Sequence, residues 1–233
     1  MNRTYHIMNA RIIFNYVLVR LGIRKILPAE IINRMKVREC GDEMVILNDE
    51  YIISPEGQTM YARKKMAEKL INAVEAVKLK GLKLIVYETY RSPEKQAQRR
   101  ERNLQRIIKE HPEYDETQRT QALNRASAKV GSSGHQTGGA LDLTLCKMDG
   151  TPLDMGTNYL EHNAKTVTDS KEITDEQRRN RKLLVDAMQE AGFINYPGEW
   201  WHFSYGDKMW AAYKHKSYAI YDDVSYMLEC HIN

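Results

Sequence analysis

At 233 residues, 42% hydrophobic and 28% charged, the chain can bury one sizeable core, so one main unit over residues 51–233 is expected behind an N-terminal extension over 1–50. A net charge of +4 is too mild to argue for nucleic acid, and no nucleic-acid partner is expected. Cys40, Cys146 and Cys230 are odd in number and far apart, which fits a reducing compartment better than a disulfide framework.

The first fifty residues say least. Ile12 to Ile23 is apolar but broken by Asn15 and Arg20 and too short for a bilayer, so no transmembrane span is expected. Neither the unbroken apolar core nor the cleavage site of a signal peptide is evident. A helix resting on the domain, or a loose extension, is expected there, with a weak membrane anchor as the lesser alternative.

Ser54-Pro55 announces a helix, a capping residue followed by proline in the first turn. Leu70, Ile71, Val74 and Val77 form its stripe, and Gly81 ends it. Leu82 to Tyr90 is a β-rich run that delivers Arg91 to its C-terminal end. Ser92-Pro93-Glu94 opens a second helix, with Ala97, Leu104, Ile107 and Ile108 inward. Lys95, Arg99, Arg100, Arg102, Arg106 and Lys109 fall on its solvated face, interspersed with glutamates. Thr117 to Val130 reads as a third helix, with Ala122, Leu123, Ala126 and Val130 inward.

Ser132 to Cys146 organises the rest. A Gly-rich loop feeds a strand in which Leu141, Leu143 and Leu145 alternate with Asp142 and Thr144, so the leucines face the core and Asp142 the other side. A lone carboxylate there needs a partner, and Gly134, Gly138 and Gly139 let the loop fold back to bring His135 to it. Cys146, four residues on from Asp142, is too distant for the same metal and reads as a core filler.

Lys147 to Lys171 is a long polar connection, a lid or pocket wall, in which His162 reads as an exposed loop histidine. Thr174-Asp175-Glu176-Gln177 is a capping box, followed by a stripe of Leu183, Leu184, Ala187 and Met188 that Gly192 closes. Phe193 to Tyr196 and Glu199 to Tyr205 read as strands around a Pro197-Gly198 turn, and the second brings His202. His135, Asp142 and His202 make the three-ligand set of a catalytic zinc, with Glu199 as a base beside it. Residues three apart on a straight strand face opposite ways, so the chain must bend if Glu199 and His202 share a site. The expected fold class is α+β, a single domain whose small antiparallel or mixed sheet carries the site on one face and helices on the other. The Tyr- and Trp-rich stretch after Gly206 is expected to pack over the sheet's edge or reach a partner.

Ser133-x-His135, then Gly138, Ala140 and Asp142, with Glu199-x-x-His202 later, resembles the D-alanyl-D-alanine metallopeptidase family of VanX-type dipeptidases and VanY-type D,D-carboxypeptidases. Tyr90-Arg91-Ser92 is similar to the family's Tyr-Arg element. Asp154-Met155-Gly156 and Glu199-Trp200-Trp201-His202 look closer to the dipeptidase branch. The likeness runs from about Leu82 to Tyr205.

The resemblance implies a Zn2+ cofactor held by His135, Asp142 and His202, with Glu199 as proton carrier, Arg91 stabilising the oxyanion and Ser133 bonding the substrate. It implies a small peptide substrate, D-Ala-D-Ala, and a cytoplasmic setting where that free dipeptide is made. A D,D-carboxypeptidase trimming peptidoglycan peptides at the cell envelope is the alternative. A non-catalytic zinc or peptide-binding module is a third reading, against which the presence of both Glu199 and Arg91 speaks.

Overall fold

The fold is taken from a computed structural model that describes residues 3–224. Its elements run α1 (Arg3–Arg20), α2 (Ala29–Asn33), β1 (Met44–Ile46), β2 (Ile52–Ile53), β3 (Tyr61–Arg63), α3 (Lys64–Lys78), β4 (Leu82–Glu88), α4 (Pro93–Glu110), α5 (Glu116–Ala126), β5 (Ala140–Lys147), α6 (Asp175–Glu190), β6 (Ile194–Asn195), β7 (His202–Ser204) and α7 (Lys208–Tyr213). The larger sheet is ordered β2-β4-β5-β7-β6. β2 lies parallel to β4 and the other neighbours are antiparallel, so the sheet is mixed. β1 and β3 form a separate antiparallel pair.

Alternation along β5 divides the two faces as expected. Leu141, Leu143 and Leu145 are fully buried with Leu84 and Val86 of β4, against Leu70 and Val74 of α3 and Leu184 and Met188 of α6. Each such side chain contributes ~1.5–3 kcal/mol by leaving water. The opposite face is thereby left to Asp142 and Thr144, and this is where the polar groups gather.

Three helix expectations need correction. Ser54-Pro55 starts only a 3-10 turn over Pro55–Gly57, and the helix begins at Lys64. Gly57 at φ +64° breaks the turn, and Tyr61–Arg63 is drawn into pairing with β1. On α4, Ala97 is exposed and Gln96 is buried in its place, with Arg99 and Arg100 turned partly inward. Polar partners account for that rotation: Gln96 Nε2 donates to Ser127 Oγ and to the Ala128 carbonyl, and Arg100 to the Ser127 carbonyl. The third helix stops at Ala126, where Ser127 becomes extended, and Val130 is exposed.

The described part of the stretch after Gly206, as far as Val224, packs back onto the domain, and residues 225–233 lie outside the described residues. Tyr221 is fully buried and donates to Asp42 Oδ2 at 2.7 Å, and Val37 bridges to Ala219. Cys146 is buried and Cys40 exposed, both free, whereas Cys230 lies outside the described residues. Among the described residues no helix is long and apolar enough to cross a membrane.

Candidate active site

The loop before β5 forms a 3-10 turn over Gly134–Thr137 that ends on Gly138 at φ +70°, a conformation glycine adopts without strain. A Cβ on Gly134 would lie 2.1 Å from Asp207 Oδ2, so the close approach needs glycine there too. The turn sets His135 over the start of β5, with its Nδ1 donating to the Thr89 carbonyl at 2.7 Å. A carbonyl only accepts, so Nδ1 holds a proton and Nε2 is the nitrogen turned inward. That nitrogen faces Asp142 Oδ1 at 3.3 Å.

Register brings the other histidine. His202 on β7 is paired with Asp142 on β5, and its Nδ1 lies 2.9 Å from the same Oδ1. Its Nε2 faces Ser204 Oγ at 3.4 Å, and the Ser204 hydroxyl donates to Asp207 Oδ2 at 2.8 Å. Asp207 is buried and also accepts from the Trp210 amide, capping α7. One ligand atom from each of His135, Asp142 and His202 falls within 4.8 Å of the others, and all three residues are buried. Each imidazole has an outer partner that orients it and turns its inner nitrogen toward Asp142 Oδ1, so this donor set fits a divalent cation that favours nitrogen and oxygen. Burial would raise the Asp142 pKa, but His135 and His202 outweigh it and hold the carboxyl well below its usual range. Burial likewise opposes a charge on His202, and the Asp142 carboxylate overcomes it and raises that pKa.

Glu199 is not on a strand. Its amide bonds the Tyr196 carbonyl at 3.0 Å and its own carbonyl accepts from the His202 amide at 3.3 Å, two successive tight turns ahead of β7. This supplies the bend that the sequence demanded, and it shortens the expected strand to His202–Ser204. Burial raises the Glu199 pKa, against the pull of His202. His162 belongs to the exposed loop, yet its Nδ1 reaches to 3.9 Å from Glu199 Oε1 and its ring meets Trp201 edge-on. Burial and the charges of Arg106 and Arg99 lower its pKa.

Arg91 is buried beyond the end of β4. Its Nε donates to Glu88 Oε1 at 2.6 Å, Nη2 closes the fork on Oε2, and Nη1 donates to Gln96 Oε1 at 2.5 Å. Ser133 is buried at the mouth of the 3-10 turn, its hydroxyl making no capping bond.

Sequence reasoning missed Glu88, Gln96, Arg99, Tyr159 and Asp207. Glu88 sits opposite Asp142 across a bulge in β4. Burial would raise its pKa, but the hydrogen bond from Arg91 and the charges of His135, Arg91 and Arg99 bring it down to about 2. Tyr159 stacks on Tyr87 and places its hydroxyl 2.9 Å from Asp142 Oδ2 and 3.2 Å from Glu88 Oε2. The loop that carries Tyr159 and His162 is fastened by buried Arg181 of α6. That guanidinium donates to the carbonyls of Met155 (2.7 Å), Lys165 (2.8 Å), Val167 (2.7 Å) and Thr168 (3.2 Å). The only signal for these residues was their polarity at positions that should have faced a core or a solvent.

A cluster of two imidazoles and a carboxylate, with a further carboxylate and an arginine nearby, places the protein in the class of metallopeptidases. The chain belongs to the peptidase M15 family, the D-ala-D-ala dipeptidases, whose pattern it matches over residues 48–222. It is 38% identical over 104 residues to a D-alanyl-D-alanine dipeptidase of Synechocystis sp., a match over 40% of this chain and 42% of that protein. A D-alanyl-D-alanine dipeptidase of Escherichia coli is 31% identical over 134 residues, 58% of this chain and 61% of that one. The chain therefore matches less than two thirds of either relative's length. Among solved structures, VanYB in complex with D-Alanine-D-Alanine is a distant likeness at 15% identity and a TM-score of 0.46, over 82% of this chain and 92% of that one.

Proposed function

We propose that this chain is a zinc-dependent D-alanyl-D-alanine dipeptidase, with its catalytic unit in residues 51–233 and His135, Asp142 and His202 as the metal ligands. The observation that carries the reading is the convergence of His135 Nε2 and His202 Nδ1 on one oxygen of Asp142, at 3.3 and 2.9 Å. Zinc bound there would supply a Lewis acid, able to polarise a peptide carbonyl and to lower the pKa of water to ~7.

The protein's own groups do the rest. Glu199 takes a proton from the attacking water at a carboxylate oxygen and hands it to the departing amine as the C–N bond breaks. Its raised pKa suits both halves of that task. Arg91 lends its charge to the carbonyl oxygen as that atom becomes anionic. Glu88 and Gln96 hold the guanidinium plane, and among the described residues two of its five N–H donors stay uncommitted. Ser133 offers its hydroxyl to the substrate. Asp142 receives Tyr159's hydroxyl on the oxygen that the histidines leave free, which fixes the carboxylate's rotation.

The substrate rests on the family and on relatives that carry the dipeptidase name. Cys40 and Cys146, unpaired among the described residues, support a cytoplasmic setting. The test offers zinc-loaded protein D-Ala-D-Ala with a free and with an acylated amino terminus, with and without chelator, and follows released D-Ala. Chelator-sensitive cleavage of the free dipeptide alone is expected. Preference for the acylated peptide would instead assign a D,D-carboxypeptidase, and release of D-Ala unaffected by chelator would remove the metal from the mechanism.

A further inference from the structure

Helix α1 turns apolar residues toward solvent. Ala10, Ile13, Phe14 and Val17, with Leu21 just past the helix end, follow the i, i+3, i+4, i+7 spacing of one face, and all five are exposed. Ile13 and Phe14 are 60% exposed and Leu21 is 66% exposed, values far from those of a helix that buries its apolar side. Ile23 and Ile26 continue the patch beyond the helix. Ile12, Asn15, Tyr16 and Val19, on the opposite side, are half-buried. The stripe is therefore unpartnered within the described residues.

Charge decides what covers it. Arg3, Arg11, Arg20, Arg24 and Lys25 all precede Glu30, and no Asp or Glu comes before that residue. Lys25 is paired with Asp169. Among the described residues Arg20 meets a ring nitrogen of His215, at 2.8 Å, and Arg24 the amide oxygen of Asn15, at 2.6 Å, and neither meets a carboxylate there. A second copy of this face would set like charges against each other. An anionic lipid surface takes up the apolar side chains and the uncancelled arginines together. Crossing the bilayer is excluded for α1, since among the described residues no helix is long and apolar enough.

We propose that α1 and the stretch to Ile26 form an interfacial anchor that seats on an anionic phospholipid bilayer. Ile13, Phe14, Val17 and Leu21 enter the acyl boundary, and Arg20 and Arg24 lie among the phosphates. The anchor stands apart from the catalytic residues and is independent of the proposed reaction.

Co-sedimentation of the full chain with vesicles tests it. Binding to phosphatidylglycerol-containing vesicles is expected to exceed binding to pure phosphatidylcholine vesicles by about tenfold or more, and to weaken as salt is added. Phe14→Asp should lower it about tenfold, and the pair Arg20→Gln with Arg24→Gln should do the same. Both variants change exposed side chains, so circular dichroism and peptidase activity in solution should match the parent. Equal binding to neutral vesicles, or binding to neither, overturns the proposal. So does a dimer in light scattering that Phe14→Asp abolishes while vesicles bind nothing, which would give the stripe to a second copy.

Discussion

Arg91 grips Glu88 by two prongs, Nε to Oε1 at 2.6 Å and Nη2 to Oε2, while Arg99 Nη1 reaches that same Oε2 at 2.7 Å. Two arginines on one carboxylate make Glu88 the electrostatic keystone of the site's floor, and its pKa falls to about 2 from an ordinary 4.5. A group depressed on folding adds stability that is complete above its unfolded pKa and fades as pH falls through the folded one. Glu88 should therefore contribute roughly 3 kcal/mol at neutral pH that disappears between about pH 5 and pH 2. Urea midpoints across that window should fall more steeply for the parent than for Glu88→Gln. Parallel acid limbs would remove Glu88 from this role.

Replacing Arg91 by lysine keeps the charge and loses the planar fork. For a group that meets an anion only as the carbonyl carbon is attacked, turnover should drop by about 10²- to 10³-fold. Metal content, read by atomic absorption, should not change. An unaltered kcat would leave Arg91 a purely structural partner of Glu88.

Glu199→Gln should retain metal and lower kcat by ~10²- to 10⁴-fold. The pH profile gives a second reading. Proton acceptance requires the ionised carboxylate, and burial raises the Glu199 pKa above its ordinary 4.5. The acid limb of kcat/KM should accordingly sit above that value, with the rate rising as pH passes through it. Activity that survives the glutamine change would transfer the proton role to another group.

Tyr159→Phe removes the hydroxyl that holds Asp142 Oδ2 at 2.9 Å and keeps the ring that stacks on Tyr87. Outer partners of this kind are worth about 10- to 100-fold in metal affinity. Competition against a chelating indicator should report a loss of that size with the fold intact. Unchanged affinity would mean that the histidines alone orient Asp142.

Sequence reasoning reached the three converging donors because their placement follows from local rules. Glycines permit the loop to fold back, and a period of two sets Asp142 opposite the leucines. Glu88 escaped because the bulge between Val86 and Glu88 breaks the alternation from which its direction would have been read. Arg99 looked like one of several solvated charges on a basic helix, and its tertiary partners, Glu88 on β4 and the Tyr159 hydroxyl, turn it inward. Tyr159 lies in a segment without periodicity, so its position depends on contacts distant in the chain. The Ser54-Pro55 signal was a valid start for a turn, and cross-strand pairing at Tyr61–Arg63 outcompeted its extension into a helix.

Arg181 spends its cation on four carbonyls at both shoulders of the loop that holds Tyr159 and His162, with no carboxylate among those partners. The segment between Met155 and Lys165 is thus an arch on two fixed feet, like the handle of a bucket. Swinging it wholesale would strip a buried guanidinium of its acceptors. A shift confined to His162, on the exposed side of the crown, would leave those acceptors and Tyr159's bonds to Asp142 and Glu88 in place, so whatever enters the cleft meets a doorway pinned at both feet and at Tyr159.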